Sequence, residues 1–267
     1  MFDYHVHTSF SEDSIASMES QCEAAIARAI RQIAFTEHED YNPTDPTSFF
    51  FKHAEYMAEL KRCRTLFAGR LIIRAGIEVS EPHRYPDECG QVLASYEWDF
   101  VLGSLHWLSK EVNTYRPDFF EHAGDWRRSM QLYFEETVRL AETGDFDVLA
   151  HIDYPTRYNR DYLNDEYDIR DFEDHVRPIL SAVIARGKGI EINTNPMRSG
   201  RRPNPADAVI SWYREMGGEI LTIGTDSHAP AHTGLHMPEA IDIARATGFT
   251  HLATFERRTP TLVPIDA

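Results

Sequence analysis

Nine side chains that can ligate transition metals are scattered along this sequence: His5, His7, Asp13, His38, Glu78, His106, His151, Asp226 and His228. Imidazole mixed with carboxylate suits Zn, Mn or Fe, whereas an all-oxygen set would point to Mg or Ca. Each position alone has a commonplace explanation. A single histidine is more often structural than ligating, His-x-His is a weak motif, and Asp226-Ser227-His228 would serve as a helix N-cap with a neighbour. The joint placement is what carries meaning, because nearly all of them fall where a β-type run ends. His5 and His7 close the first run, His38 follows Ile33-Ala34-Phe35-Thr36-Glu37, and Glu78 closes the run beginning at Leu71. His106 follows Phe100-Val101-Leu102-Gly103-Ser104-Leu105, His151 follows Phe146-Asp147-Val148-Leu149-Ala150, and Asp226 with His228 follows Ile220-Leu221-Thr222-Ile223-Gly224-Thr225.

These runs alternate with longer helical stretches from end to end, the pattern of an α/β fold with a parallel sheet. Strands are predicted at 2–7, 33–37, 71–79, 99–106, 146–152, 189–194 and 219–225, with a weaker run at 251–255. Helices are predicted at Glu19–Gln32, Phe49–Phe67, Trp126–Thr143, Asp171–Arg186, Pro205–Met216 and Met237–Thr247. Gly69, Gly144, Gly187, Gly217 and Gly248 each follow a helical stretch, where a residue tolerant of positive φ is wanted. Pro43–Pro46 and Arg157–Tyr167 read as polar loops. In a parallel barrel the C-terminal strand ends open on one face, so residues two hundred positions apart converge there. His5 and His7, two apart, would point to the same side of their strand. Glu78, alone at its strand end, has two oxygens with which to bridge two ions, and Asp13 lies near enough to reach the same mouth.

Composition limits the partners. The chain has 267 residues and 42% hydrophobic content, which fits one domain spanning residues 1–267. A net charge of −16 argues against a nucleic-acid polymer, which is held mainly by clustered Lys and Arg. Three divalent ions would offset part of that charge and leave a small anionic substrate acceptable. The odd, dispersed cysteines Cys22, Cys63 and Cys89 read as reduced thiols. No basic leader and no apolar run near the roughly 20 residues of a membrane span is visible. A cytoplasmic protein without a membrane partner is expected; the oligomeric state is not legible.

The series His5-Val6-His7-Thr8, Thr36-Glu37-His38, Gly76-Ile77-Glu78, Ser104-Leu105-His106, His151-Ile152-Asp153 and Thr225-Asp226-Ser227-His228 resembles the PHP (polymerase and histidinol phosphatase) family. The resemblance covers residues 2 to about 250 and is greatest to the monofunctional histidinol-phosphatases, through Asp3-Tyr4-His5-Val6-His7-Thr8 and Glu191-Ile192-Asn193-Thr194-Asn195. It implies a distorted (βα)7 TIM-like barrel with three divalent metals, Zn, Mn or Fe, at the C-terminal strand ends. By that resemblance His5, His7, Glu78 and Asp226 would hold the first metal, Glu78, His106 and His151 the second, and Asp13, His38 and His228 the third. Some family members carry a histidine in place of Asp13.

The implied activity is hydrolysis of a phosphomonoester, L-histidinol phosphate above all. A hydroxide bridging two metals would attack phosphorus, with Glu78, Asp226 and His228 as the catalytic side chains and Asp226, His228 or a metal-bound water as the leaving-group acid. Arginine is the usual phosphate clamp, and Arg116, Arg157 and Arg198 lie in segments expected over the mouth. Glu39 or Glu81 would read the imidazole or ammonium of the substrate. A nucleotide, short oligonucleotide or phosphotyrosine is the alternative substrate. An amidohydrolase is less favoured, because Lys52, Lys61, Lys110 and Lys188 all lie away from C-terminal strand ends and none can act as a bridging carboxylated lysine. A non-catalytic metal module would be expected to have lost ligands, and all nine positions are filled.

Overall fold

The computed structural model describes residues 1–157, 163 and 167–265. Seven parallel strands follow one another in chain order: β1 (Phe2–Val6), β2 (Gln32–Glu39), β3 (Ile72–Ser80), β4 (Phe100–Ser104), β5 (Val148–Leu149), β6 (Gly189–Asn193) and β7 (Leu221–Gly224). They form a nearly closed barrel. The helices between them are α1 (Met18–Ala27), α2 (His53–Leu66), α3 (Pro86–Ser95), the single turn α4 (Asp118–Glu121), α5 (Trp126–Thr143), α6 (Glu173–Ala185), α7 (Asp207–Glu215) and α8 (Met237–Ala246). Among the described residues no helix is long and apolar enough to cross a membrane.

A strand buried on both faces needs an apolar run, supplied by Phe100-Val101-Leu102 in β4 and by Ile33-Ala34-Phe35 in the first half of β2. Every residue of β2 except His38 is buried, and β4 is buried throughout. The outer helices need only one apolar stripe. In α5 the side chains of Met130, Tyr133, Phe134, Thr137, Leu140 and Ala141 recur at three- and four-residue spacing and are all buried, while Asp125 caps the helix by accepting from Arg128 N. Burying a side chain such as Phe134 contributes about 1.5–3 kcal/mol.

Backbone hydrogen bonds close β7 onto β1 at their C-terminal ends. Asp226 N donates to His5 O at 2.7 Å and His7 N to Ser227 O at 2.9 Å. Asp3 reinforces the join, accepting from Thr225 N at 2.9 Å, Thr225 Oγ1 at 2.5 Å and Gly234 N at 3.1 Å. The first and last metal-type segments of the sequence are thereby bonded to each other.

Several boundaries differ from the sequence reading. The first helix stops at Ala27 rather than Gln32, because Ala29 takes a left-handed φ of 56° and Gln32 already pairs with β1. Helix α3 was not expected: it contains Gly90, a poor helix former, and only Cys89 is buried, although Pro86 followed by Asp87 and Glu88 is a helix-start signal. Gly144 has a φ of −66° and is required for space instead, since a Cβ there would lie 2.8 Å from Leu140 Cδ1. The weak run at 251–255 is a strand, β8 (His251–Glu256), but it pairs antiparallel with β9 (Thr259–Pro264) outside the barrel. Phe255 and Ala253 of this hairpin join Tyr4, Ala34, Phe100, Leu102, Val148 and Ala150 in a second apolar cluster, and Phe255 N donates to Tyr4 Oη at 2.7 Å. Most of the loop expected at Arg157–Tyr167 lies outside the described residues.

Candidate metal centre

At the C-terminal strand ends Glu78 occupies the middle of a cluster of imidazoles. Its Oε2 lies 3.3 Å from His5 Nε2, 3.6 Å from His7 Nε2 and 3.0 Å from His38 Nδ1; its Oε1 lies 3.5 Å from His106 Nε2 and 3.1 Å from His151 Nε2. Asp226 Oδ1 faces the same space, 3.8 Å from His5 Nε2 and 3.5 Å from His7 Nε2. His228 Nδ1 is 3.6 Å from that oxygen, and its Nε2 is 3.0 Å from Asp13 Oδ2, which is also 3.7 Å from His38 Nε2. All nine sequence-predicted ligands therefore meet in one place. Glu78 is fully buried, whereas the Asp13 side chain is about half exposed and approaches from the solvent side.

The route of His5 and His7 into the cluster is less simple than alternation predicts. The pairing of β1 with β2 shifts register between Asp3 and Val6, and His7 lies just past the strand. The two rings nevertheless stand 5.0 Å apart. Two of the ligands carry backbone strain: His151 has a φ of 22° and Asp226 a φ of 51°, both positive and unfavourable for these residues.

The ring nitrogens turned away from the cluster are held by a surrounding set that sequence reading did not assign. Glu191 Oε1 is 2.7 Å from His5 Nδ1, Ser11 Oγ is 3.1 Å from His7 Nδ1, and Ser80 Oγ is 2.9 Å from His106 Nδ1. Glu191 Oε2 also accepts from His151 N and Asn193 Nδ2, each at 3.1 Å. Glu37 fastens the first loop, accepting from Thr8 N at 2.9 Å, Thr8 Oγ1 at 2.7 Å and Ser11 Oγ at 2.6 Å. Such partners fix the tautomer and direction of a ligating imidazole. Glu191 was legible as part of a strand motif, but its contact with His5 spans 186 residues and has no local signal.

These donors fit cations. With Nδ1–H of His5 given to Glu191, its Nε2 lone pair faces the oxygens of Glu78 and Asp226, which is repulsive unless a proton or metal intervenes. Burial opposes charge on His5, yet Glu191, Glu78 and Asp226 together raise its pKa well above the ordinary value. Burial likewise opposes ionisation of Glu78, and His5, His106 and His38 override it and lower its pKa well below the ordinary range. His7 Nε2 is buried and makes no hydrogen bond. Ligand atoms about 2.0–2.1 Å from a tetrahedral metal stand roughly 3.3–3.4 Å apart, close to the spacings around Glu78. Four sets each bring three candidate atoms within 4.8 Å of one another: His5, His7 and Asp226; His5, Glu78 and His151; His38, Glu78 and His106; His7, His38 and His228.

The three arginines are placed differently from one another. Arg157 is buried, with Nη1 on Asp226 Oδ2, Nε 3.3 Å from Asn204 Oδ1 and its guanidinium over Tyr154. Arg198 is turned onto the carbonyls of Thr225 and Asp226, bracing the end of β7. Arg116 is exposed and is not brought to the cavity beside the cluster; its neighbour Tyr115 is. The carboxylates expected to read the substrate cation are committed elsewhere. Glu39 Oε2 is 2.6 Å from His53 Nε2, and Glu81 accepts from His106 N at 2.6 Å and Trp107 N at 2.9 Å.

A parallel barrel with a histidine and carboxylate cluster at its C-terminal strand ends defines the class of a metal-dependent hydrolase barrel. The chain belongs to the PHP domain family, whose model matches residues 3–195. It is 28% identical to a histidinol-phosphatase of Lactococcus lactis subsp. lactis over 95% of this chain and 93% of that protein. A probable histidinol-phosphatase of Thermotoga maritima is 26% identical over 95% of each. The crystal structure of the Lactococcus lactis histidinol phosphate phosphatase, complexed with zinc, L-histidinol and phosphate, superposes with a TM-score of 0.86 at 25% identity, covering 97% of this chain and 98% of that one.

Proposed function

We propose that this chain is a metal-dependent phosphomonoesterase of the cytoplasm that hydrolyses L-histidinol phosphate to L-histidinol and phosphate, a step of histidine biosynthesis. The observation that carries the reading is the placement of Glu78, both of whose oxygens face imidazoles on opposite sides. Near full-length likeness to a phosphatase complexed with zinc, L-histidinol and phosphate supports the substrate.

Three divalent ions drawn from Zn, Mn and Fe are the proposed cofactors. His5, His7, Glu78 and Asp226 would hold one, Glu78, His106 and His151 a second, and Asp13, His38 and His228 a third. When bound, such ions bring hydroxide within reach of neutral pH, orient phosphate and neutralise charge on the attacking and leaving oxygens. That chemistry matches the demand, since phosphomonoester hydrolysis is among the slowest uncatalysed reactions and requires accelerations up to about 10²¹-fold.

The chain's own groups supply the remainder. The reaction forms a bond from a water oxygen to phosphorus and breaks the bond to the leaving alkoxide, which must gain a proton. Burial would raise the pKa of Asp226, but Arg157, His5 and His228 outweigh it and hold the carboxyl well below the usual range. An ionised Asp226 can take a proton from the attacking water, and Asp226 so protonated, or His228 with its Nδ1 3.6 Å from Asp226 Oδ1, returns a proton to the leaving alkoxide. Arg157, already beside Asp226, is the phosphate-binding arginine of this reading. Arg198 acts through the β7 end it braces, and Arg116 has no part in it. The test is a parallel assay of histidinol phosphate, AMP, a dinucleotide and a phosphotyrosine peptide with Mn²⁺ and Zn²⁺. Turnover of histidinol phosphate at least a hundredfold above the others is expected; preference for any other substrate refutes the assignment.

A further inference from the structure

Beside the metal-type cluster lies a cavity of about 340 Å³ whose lining includes His38, His106 and Asp13. The rest of its wall is chemically distinctive: the buried Asp40, with Asp45, Thr47 and the exposed Glu12, is set among Phe50, Trp107, Tyr115 and Tyr154. Aromatic faces beside carboxylates suit a flat, cationic group. The two aspartates are not equivalent. Asp45 is consumed by the wall itself, accepting from Trp107 Nε1 at 2.8 Å through Oδ2, and from Thr47 N at 2.9 Å and Thr47 Oγ1 at 2.7 Å through Oδ1. Asp40 is only 8% exposed and, among the described residues, forms no ion pair with Lys or Arg; Ser80, His38 and His106 are its polar neighbours. A carboxylate is expensive to bury without a cation, and this one lies where a ligand would enter. Glu39 and Glu81, the other buried acids nearby, are tied to His53 and to backbone amides and do not line the cavity.

We propose that Asp40 is the specificity-determining carboxylate of this enzyme, receiving a cationic nitrogen of the leaving group while the aromatic wall flanks its ring. The proposal rests on the phosphatase reading and adds to it which end of the substrate is selected, and by which residue. Phosphate is held at the cluster; the amino-imidazole portion extends into the cavity toward Asp40. The aspartate forms and breaks no covalent bond. Its effect belongs in recognition of the leaving group and not in recognition of phosphate.

The experiment uses the full-length, metal-loaded enzyme and compares wild type with Asp40→Asn, metal content being measured in both. Competitive inhibition by L-histidinol is expected to weaken at least tenfold in the variant, the change typical of losing a charge-assisted hydrogen bond, with inhibition by inorganic phosphate within twofold of wild type. The ratio of kcat/KM for histidinol phosphate to that for phenyl phosphate is expected to fall at least tenfold. If Asp40→Asn fails to load metal, Asp40→Glu retains the charge and is expected to keep at least a third of the wild-type ratio. Unchanged histidinol inhibition, or parallel losses toward histidinol and phosphate, overturns the proposal. A wild-type enzyme that cleaves phenyl phosphate but not histidinol phosphate overturns the underlying reading of the substrate instead.

Discussion

Glu191→Gln changes one atom type at the hub of the surrounding hydrogen bonds and leaves volume almost untouched. In the native arrangement Glu191 Oε1 takes the Nδ1 proton of His5 at 2.7 Å, and Oε2 takes two further donors, His151 N and Asn193 Nδ2. A glutamine has one acceptor and one donor end, so it cannot satisfy all three. If its oxygen faces His5, its NH₂ opposes the amide of His151. If its NH₂ faces His5, the imidazole must carry its proton on Nε2, the atom 3.3 Å from Glu78 that is needed as a metal ligand. Either arrangement costs a hydrogen bond to a charged group, about 1.5–3 kcal/mol, or roughly 10- to 150-fold in an equilibrium constant. Outer partners of ligating histidines typically contribute 10–100-fold to metal affinity, the same range. The assay is competition for Zn²⁺ against a chromophoric chelator, followed by histidinol phosphate turnover at limiting and saturating metal. Metal affinity is expected to fall 10–100-fold, with activity largely restored by excess metal. Affinity within twofold of wild type would refute the assignment of Glu191 as the group that orients His5.

Gly224→Ala would place a Cβ 2.2 Å from Glu191 Oε1 and 2.3 Å from His5 Cβ. Overpacking of this kind costs about 1–3 kcal/mol, and at about 2–4 °C per kcal/mol the Tm is expected to drop by several degrees together with metal content; an unchanged Tm with full metal occupancy contradicts the packing argument. Arg157→Ala is expected to raise KM for histidinol phosphate and lower kcat/KM more than a hundredfold, with unchanged steady-state constants as the contrary result. Burial alone would raise the pKa of Glu136, but His83 and Arg84 bring it down to about 2. Its folded pKa is thus depressed, so the stabilisation is complete above about pH 4.5 and is lost as pH falls toward 2. After allowance for solvent screening, on the order of 1–2 kcal/mol should separate wild type from Glu136→Gln in urea unfolding at pH 7, with the gap closing below pH 4.5. A gap independent of pH would contradict it.

The parts of this molecule legible from sequence are those whose signal is local. His38, His106 and His151 each follow an apolar run, and a parallel barrel turns that placement into convergence without any knowledge of contacts. Glu191, Ser11 and Ser80 carry no such signal, since their roles come from partners brought close only by the folded barrel. The same holds for the acid near the mouth. Glu39, Glu81 and Asp40 are alike in sequence, and only the structure separates the two that are bonded from the one that faces the cavity. The hairpin partner β9 was missed because its side chains are mostly exposed and include Pro260 and Pro264, which leaves no buried alternation to recognise. Where Arg116 and Arg198 point was not legible from their loops: one is exposed beside the cavity residue Tyr115 and the other donates to the carbonyls of Thr225 and Asp226.

The central claim is that the strand-end cluster is a catalytic metal centre organised by Glu78. Elemental analysis of purified protein combined with turnover of histidinol phosphate, for wild type and Glu78→Gln, tests it most directly. The account predicts close to three transition-metal ions per wild-type chain, loss of activity on chelation with recovery on adding Zn²⁺ or Mn²⁺, and at least a thousandfold lower kcat in a folded Glu78→Gln protein. Full activity in metal-free wild type, or near-normal turnover by metal-replete Glu78→Gln, would contradict it.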